Sequence, residues 1–500
     1  MDKDFNTKLN EFKTYLKDVE YLSGAIAALY WDSRVNIPRK GVAFRGETLG
    51  YLSAELYKKQ TSDAMRDFIE YFSAQADADA VTRAMADRAK REYDRSMKIP
   101  EERYRAYVVA VSAAEAAWEE AKEKTDFALF KPHLETLIGF NREFIEYWGG
   151  GAHGYDRLLD YFEPGFTTEK LDSVFGELRN AIVTLLNGIR QKPKPDDSFL
   201  KSKFPIDAQA RLSHYALKKM GYDFEAGRLD VSVHPFTITL GRGDVRITTR
   251  YYEDELRSAL YSCIHEGGHA IYEQNIDPAL AGTMLMTGAS MGIHESQSRF
   301  YENLIGRSRA FWEFLYPETQ KEFPQLTGVP VEAFYKAVNE VTPSLIRIEA
   351  DELTYSLHII IRYEVEKAIF DGGAKVDDLP ALWNAKYKEY LGVEPKNDGE
   401  GILQDTHWSG GEFGYFPSYA LGNLYGAQIL NTMKKDMPDM EKRIASGDLM
   451  CVNNWLKEHV HKYGAVYLPG ELIEKVTGEP LSAKYFIEYL NEKYRDLYEL

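Results

Sequence analysis

Helical periodicity runs through almost the whole chain, and a single short stretch interrupts it with the alternation of a β-hairpin. From Asp4 to Trp31 apolar residues recur at intervals of three and four (Phe5, Leu9, Phe12, Leu16, Val19, Leu22). The same spacing fills much of 42–150, including the alanine-rich 107–125. A chain patterned this way buries apolar helix stripes against one another, so the expected class is mostly α. Helix breaks are expected at Gly149-Gly150-Gly151, at Glu163-Pro164-Gly165 and at Lys192-Pro193-Lys194-Pro195-Asp196-Asp197. The last of these sets a soft lobe boundary near 191–200, between an N-terminal helical lobe (1–190) and 200–500, within one domain spanning 1–500. The exception is Thr237 to Thr249, which alternates on both sides of Gly241-Arg242-Gly243 as a hairpin does.

Five hundred residues with 44% hydrophobic content suffice for a large core. Acidic residues outnumber basic ones by 78 to 61, and the net charge of −17 argues against a nucleic-acid partner, whose binding rests on basic phosphate contacts. Cys263 and Cys451 are the only cysteines, too few for a disulfide framework. Cys263 reads as a buried structural thiol. The start, Met1-Asp2-Lys3-Asp4-Phe5-Asn6, is charged and carries no secretory apolar core, and no apolar run is long enough to span a bilayer. A cytoplasmic protein without a membrane partner is the expectation.

The chemistry is concentrated in Cys263-Ile264-His265-Glu266-Gly267-Gly268-His269-Ala270, which contains H-E-x-x-H. On a helix this spacing puts two imidazoles one turn apart on one face, which is half of a zinc site. The intervening Glu266 stands where it could take the proton of a zinc-bound water and pass it to a leaving amine. A catalytic site needs a third protein ligand, and the candidates are Glu295 and His294 in Met291-Gly292-Ile293-His294-Glu295-Ser296-Gln297. Glu295 follows His269 by a span typical of zinc peptidases with a third ligand on a second helix, which leaves His294 to support a ligand. The hairpin just upstream could hold an extended peptide along a strand edge, or could simply cap a helical domain.

These residues resemble the carboxypeptidase Taq-type family of zinc metallocarboxypeptidases. The likeness runs through essentially the whole chain and is carried by five motifs in order. Asp244-Val245-Arg246-Ile247-Thr248 matches D-x-R-x-T, His265 to His269 matches H-E-x-x-H, and His294-Glu295-Ser296-Gln297 matches H-E-S-[GQ]. Ile346-Arg347-Ile348-Glu349-Ala350-Asp351 matches I-R-x-x-A-D, and Gly401 to Trp408 matches G-x-x-Q-D-x-H-W. The resemblance implies a two-lobed helical fold with a deep groove, removal of single residues from peptide C-termini with broad side-chain tolerance, and a homodimer. Cobalt or manganese could replace zinc, since availability as well as affinity decides occupancy.

A carboxypeptidase must recognise a terminal carboxylate, for which the planar guanidinium of arginine is suited. Arg347 is the first choice and Arg246 the second, although Arg347 could instead pair with Glu349 or Asp351. Oxyanion stabilisation is assigned to Tyr419, with Tyr415 as its substitute and His407 assisting. Both tyrosines fall in a glycine-containing stretch, 409–419, expected to be mobile enough to close over a peptide. His234 could donate to the substrate backbone. Asp244 and Asp351 are expected to orient an arginine or a metal-bound histidine. Two rival readings are an oligopeptidase or dipeptidyl carboxypeptidase on the same zinc site, and a noncatalytic zinc-stabilised scaffold that binds peptides.

Overall fold

In the computed structural model, which describes residues 3–151 and 153–500, the alternating stretch forms the expected hairpin within a three-stranded sheet. The charged start was read partly from Met1 and Asp2, which lie outside the described residues. The strands are β1 (Leu229–Val231), β2 (Thr237–Gly241) and β3 (Asp244–Thr249), in the order β1-β3-β2. β2 pairs with β3 antiparallel, Thr237 opposite Ile247 and Thr239 opposite Val245, with an irregularity between Thr239 and Gly241. β1 was not expected: it is three residues long and pairs with β3 in parallel, Leu229 opposite Ile247. Such a partner is invisible to local alternation, because the pairing joins segments that are distant in sequence.

The remaining described elements are helical, twenty α-helices and a few short turns. The first, Lys3–Val35, buries Phe5, Phe12, Leu16 and Val19, four of the residues that set its sequence period. All three expected breaks fall between helices. Gly149–Gly151 follow Phe127–Tyr147, Glu163-Pro164-Gly165 follow Tyr155–Phe162, and the Lys192 to Asp197 segment lies between Thr168–Ile189 and Ile206–Met220. One connected hydrophobic core nevertheless runs from Phe5 to Tyr498 across that last segment.

Three helices at its centre position the chemistry. Leu256–Asn275 is buried on nearly every side, which accounts for its weak amphipathic pattern. Met291–Arg299 lies between it and Pro417–Asp436, and runs on into a π-helical turn, Phe300–Ile305. Two glycines permit this close stacking. A Cβ on Gly268 would stand 2.5 Å from the Gln297 carbonyl oxygen, and one on Gly422 would stand 2.6 Å from Cγ of Glu295. The middle helix can approach both neighbours only because neither position carries a side chain.

Candidate active site

His265 and His269 project from one face of Leu256–Asn275 toward Glu295 on Met291–Arg299. Glu295 Oε2 is 3.7 Å from His265 Nε2 and 3.4 Å from His269 Nε2. Tetrahedral bonds of about 2.0–2.1 Å put ligand atoms roughly 3.3–3.4 Å apart, close to these two spacings, and all three donor atoms lie within 4.8 Å of one another. It supplies three protein ligands, the number found where a fourth position is kept for chemistry. The other oxygen of Glu295, Oε1, accepts from Arg299 Nε at 2.8 Å, while Oε2, which faces the two histidines, accepts from Ser298 Oγ at 3.2 Å.

The ring nitrogens that face away from the cluster are also occupied. His265 Nδ1 is 2.8 Å from Glu302 Oε2, and His269 Nδ1 is 2.7 Å from His294 Nδ1. His294 Nε2 is in turn 2.9 Å from Glu273 Oε1. Burial pushes Glu295 up, but Arg299 and the two histidines outweigh it and hold the carboxyl far below its usual range. Burial lowers His269 to about 4, so its imidazole is neutral, as a metal ligand must be. Beyond Glu302 the charges alternate inward. Arg307 Nη2 stands 3.8 Å from Glu302 Oε1 and within coulombic reach of Glu352, which pairs with buried Lys493 on the C-terminal helix Lys484–Tyr498.

Glu266 is 8% exposed, and burial raises its pKa above the ordinary carboxylate value. Its Oε2 accepts from Thr237 Oγ1 of β2 at 2.6 Å. Two residues along the strand, Thr239 Oγ1 donates to Glu273 Oε2 at 3.1 Å. The hairpin is therefore fastened to the metal-binding helix through the residue placed as general base.

Arg347 pairs with neither Glu349 nor Asp351. Its Nε and Nη2 donate to Asp405 Oδ1 at 3.0 and 2.9 Å, while fully buried Arg362 binds the other oxygen of Asp405. Two guanidiniums thus share one carboxylate. Arg347 Nη1 donates to the Tyr355 hydroxyl at 3.3 Å, and the Tyr355 ring lies 4.0 Å under the Arg299 guanidinium. One tyrosine therefore bridges the arginine cluster and the arginine that holds Glu295. His407 Nε2 is 3.2 Å from the Tyr419 hydroxyl, and the rings of Tyr415 and Tyr419 meet edge to face at 5.1 Å. Burial lowers His407 to about 4.

In the structure the 409–419 stretch is packed down rather than standing free. Gly414 takes φ +87° with Leu158 packed where its side chain would be, and its N–H donates to buried Glu366 at 2.8 Å. Its glycine serves close packing, and Tyr419 lies in the first turn of Pro417–Asp436. Asp351 also departs from expectation. It accepts from the backbone N–H groups of Thr354 and Thr342, as a turn-capping aspartate does, and bonds no arginine or metal-site histidine. Arg246 is paired with Asp244 at 2.7 Å and stacked on Trp31 at 4.4 Å. Strand alternation turns it away from the face on which Thr237 and Thr239 meet the metal-binding helix. The structure therefore does not bring it to the cluster, although Asp244 does orient an arginine. His234 is exposed ahead of β2, with no side-chain contact to the cluster among the described residues. Cys263 is buried, and burial pushes its thiol up to about 11.

Glu302, Arg299 and Glu273 escaped the sequence reading. The signal was present for all three, since Glu295, Arg299 and Glu302 follow one another at four and three, and Glu273 stands four after His269. Nothing local marks Tyr355 or Arg362. Two surface cavities, of about 310 and 520 Å³, lie elsewhere, one beside Trp148 and Arg91 and the other beside Asp371 and Lys367.

An H-E-x-x-H helix, a glutamate from the next helix and a buried carboxylate beside them define a helical metallopeptidase. The chain belongs to the carboxypeptidase Taq (M32) metallopeptidase family, whose model matches residues 11–494, and is accordingly a metallocarboxypeptidase. It is 51% identical to carboxypeptidase 1 of Bacillus subtilis (strain 168), over 99% of this chain and 100% of that protein. It is 40% identical to thermostable carboxypeptidase 1 of Thermus thermophilus, over 97% and 98%. Among solved structures, the M32 carboxypeptidase of Deinococcus radiodurans R1 superposes with a TM-score of 0.97 at 36% identity, covering 99% of this chain and all of that one.

Proposed function

We propose that the chain, with Zn²⁺ held by His265, His269 and Glu295, removes one residue at a time from free peptide C-termini, and that Arg347 grips the terminal carboxylate. The observation that carries this is the hydrogen count at Arg347. Of its five N–H groups, two serve Asp405 and one serves Tyr355. The remaining two sit one on each Nη, the pair that clasps a carboxylate end-on. The cluster of Arg347, Asp405 and Arg362 carries one positive charge in excess, so a substrate carboxylate would complete it. A single tyrosine separates this grip from Arg299 and Glu295, which favours a one-residue register over release of dipeptides.

Bound Zn²⁺ would supply Lewis acidity, making water acidic enough to attack and polarising the scissile carbonyl. Co²⁺ or Mn²⁺ would serve the same donors. Glu266 takes the proton of the attacking water and delivers it to the leaving amine, a task suited to a carboxylate whose affinity for protons is raised by burial. Thr237 holds Glu266 Oε2 and leaves Oε1 for the water. Neutral His407, with its proton on Nε2, donates to Tyr419 and frees the Tyr419 O–H for the developing oxyanion, with Tyr415 beside it as substitute.

A cytoplasmic homodimer acting on peptides completes the proposal, and sedimentation tests its oligomeric part. The continuous core supports one domain over 1–500 with its lobes meeting near 191–200. The enzymatic reading is tested by mass spectrometry of peptides offered with free and amidated C-termini, with and without a chelator. Stepwise loss of single residues from free C-termini only, and only with metal, is expected. Cleavage indifferent to amidation would make the protein an oligopeptidase, and metal binding without hydrolysis would make it a scaffold.

A further inference from the structure

The contact between His269 and His294 joins two nitrogens of the same kind, Nδ1 to Nδ1, at 2.7 Å. Two imidazole nitrogens this close share one proton, because two protons clash and none leaves two lone pairs in opposition. Where that proton sits decides what His269 offers at Nε2. If Nδ1 of His269 carries it, Nε2 presents a lone pair toward Glu295 and the metal position. If His294 carries it, a neutral His269 must hold its proton on Nε2 and cannot ligate.

We infer that Glu273, acting through His294, is the positioning residue that settles this choice. Its Oε1 lies 2.9 Å from His294 Nε2, and a carboxylate oxygen only accepts, so a His294 bearing one proton holds it on Nε2. Nδ1 of His294 is then an acceptor, His269 donates to it, and His269 Nε2 is left bare. Glu273 can serve as a fixed anchor because it is itself fully engaged. It is 7% exposed, and it accepts from Thr239 Oγ1 at 3.1 Å, from the Gly288 N–H at 3.1 Å and from Thr287 Oγ1 at 3.4 Å. His265 needs no such relay, since Glu302 accepts directly from its Nδ1 at 2.8 Å. The two ligands are thus set by different devices: one by a carboxylate, the other by a carboxylate acting through a second imidazole. Thr239 brings β2 into the second device, so the strand that holds Glu266 through Thr237 also braces the tautomer of His269.

The inference rests on the metal assignment proposed above, and two amide substitutions separate it from a merely structural role. His294→Asn places an amide oxygen where Nδ1 stands, and so keeps the acceptor for His269. His294→Gln reaches the Nε2 position instead and leaves His269 without one. Zinc affinity is read by competition with a chromophoric chelator, and apo-protein unfolding is recorded for each variant. H294Q is expected to lose ~10–100-fold in zinc affinity, the usual cost of losing such a partner, and H294N to retain most of it. Glu273→Ala is expected to match H294Q, while Glu273→Gln, which keeps an acceptor, loses less. The visible spectrum of the Co²⁺-loaded proteins should follow the same order. Equal zinc affinity in H294N and H294Q, or full affinity in E273A, would overturn the inference. A parent protein that binds no zinc at all would instead overturn the metal assignment.

Discussion

Replacing Arg347 by Gln removes the charge and the paired N–H groups while leaving a polar side chain of similar reach. Asp405 loses two bonds from Arg347 but keeps Arg362, and Tyr355 keeps its packing under Arg299, so the metal-binding side of the site is left in place. A hydrogen bond to a charged group contributes about 1.5–3 kcal/mol, and two are lost, so the loss in transition-state binding is about 3–6 kcal/mol. At roughly 1.4 kcal/mol per decade, kcat/KM should fall by ~10²–10⁴ on peptides with a free C-terminus. The assay is steady-state hydrolysis of an N-blocked dipeptide by the zinc-loaded variant, with metal content and unfolding midpoint measured alongside. Metal content should match the parent, because Arg347 touches none of the three ligands, while the unfolding midpoint falls because buried Asp405 loses one of its two guanidiniums. A variant that keeps kcat/KM within threefold of the parent at full metal content would refute the carboxylate grip and turn attention to another cation of the groove.

Three further outcomes are expected. Glu266→Gln should bind zinc normally, by chelator competition, and show no measurable turnover; ordinary activity would remove Glu266 from the mechanism. Gly422→Ala sets a methyl group 2.6 Å from Glu295 Cγ, so it should lower stability by the ~1–3 kcal/mol typical of overpacking and weaken zinc binding; unchanged affinity would show that the helix yields freely. Glu163 accepts from Ser290 Oγ, Tyr425 O–H and the Gly292 N–H at the start of Met291–Arg299, and burial pushes it up to about 7. Folded Glu163 therefore keeps its proton where the unfolded chain has lost it, and its contribution, complete below about 4.5, is lost as pH rises through 7. Relative to the parent, Glu163→Gln should gain stability across that window, by about 3 kcal/mol at its top, and a gap between their denaturant midpoints that does not change with pH would contradict the buried, proton-holding carboxyl.

The ligands were legible in the sequence because a helix converts a spacing of four into a shared face. His265, Glu266 and His269 need only local structure, and Glu295 needs only one following helix. The partners of those residues were harder to read. Glu302 and Arg299 lie on the same stretch as Glu295, yet their charges look like ordinary helix-surface pairs until burial is known. Asp351 and Gly414 were ambiguous for a common reason: an aspartate inside a sequence motif caps a turn as readily as it orients an arginine, and a glycine accompanies tight packing as readily as mobility. β1 and the bridging Tyr355 had no local signal, because each acts through a segment distant in sequence.

The alternating charges behind His265 bear on how the protein is made. The ligands lie at 265–295, but the row that begins with Glu302 and Arg307 ends at Glu352 and Lys493. A ribosome adding about 5–20 residues per second takes roughly 10–40 s to travel from Glu295 to Lys493. During that interval Glu352 has no cation from the C-terminal helix, and the carboxylates around the half-made centre are balanced only by Arg299 and Arg307. The centre therefore reaches its final electrostatic balance only after Lys493 has been made and its helix has packed against Glu352. A chain cut short before Lys493 would possess every ligand and still lack the last counter-charge behind them.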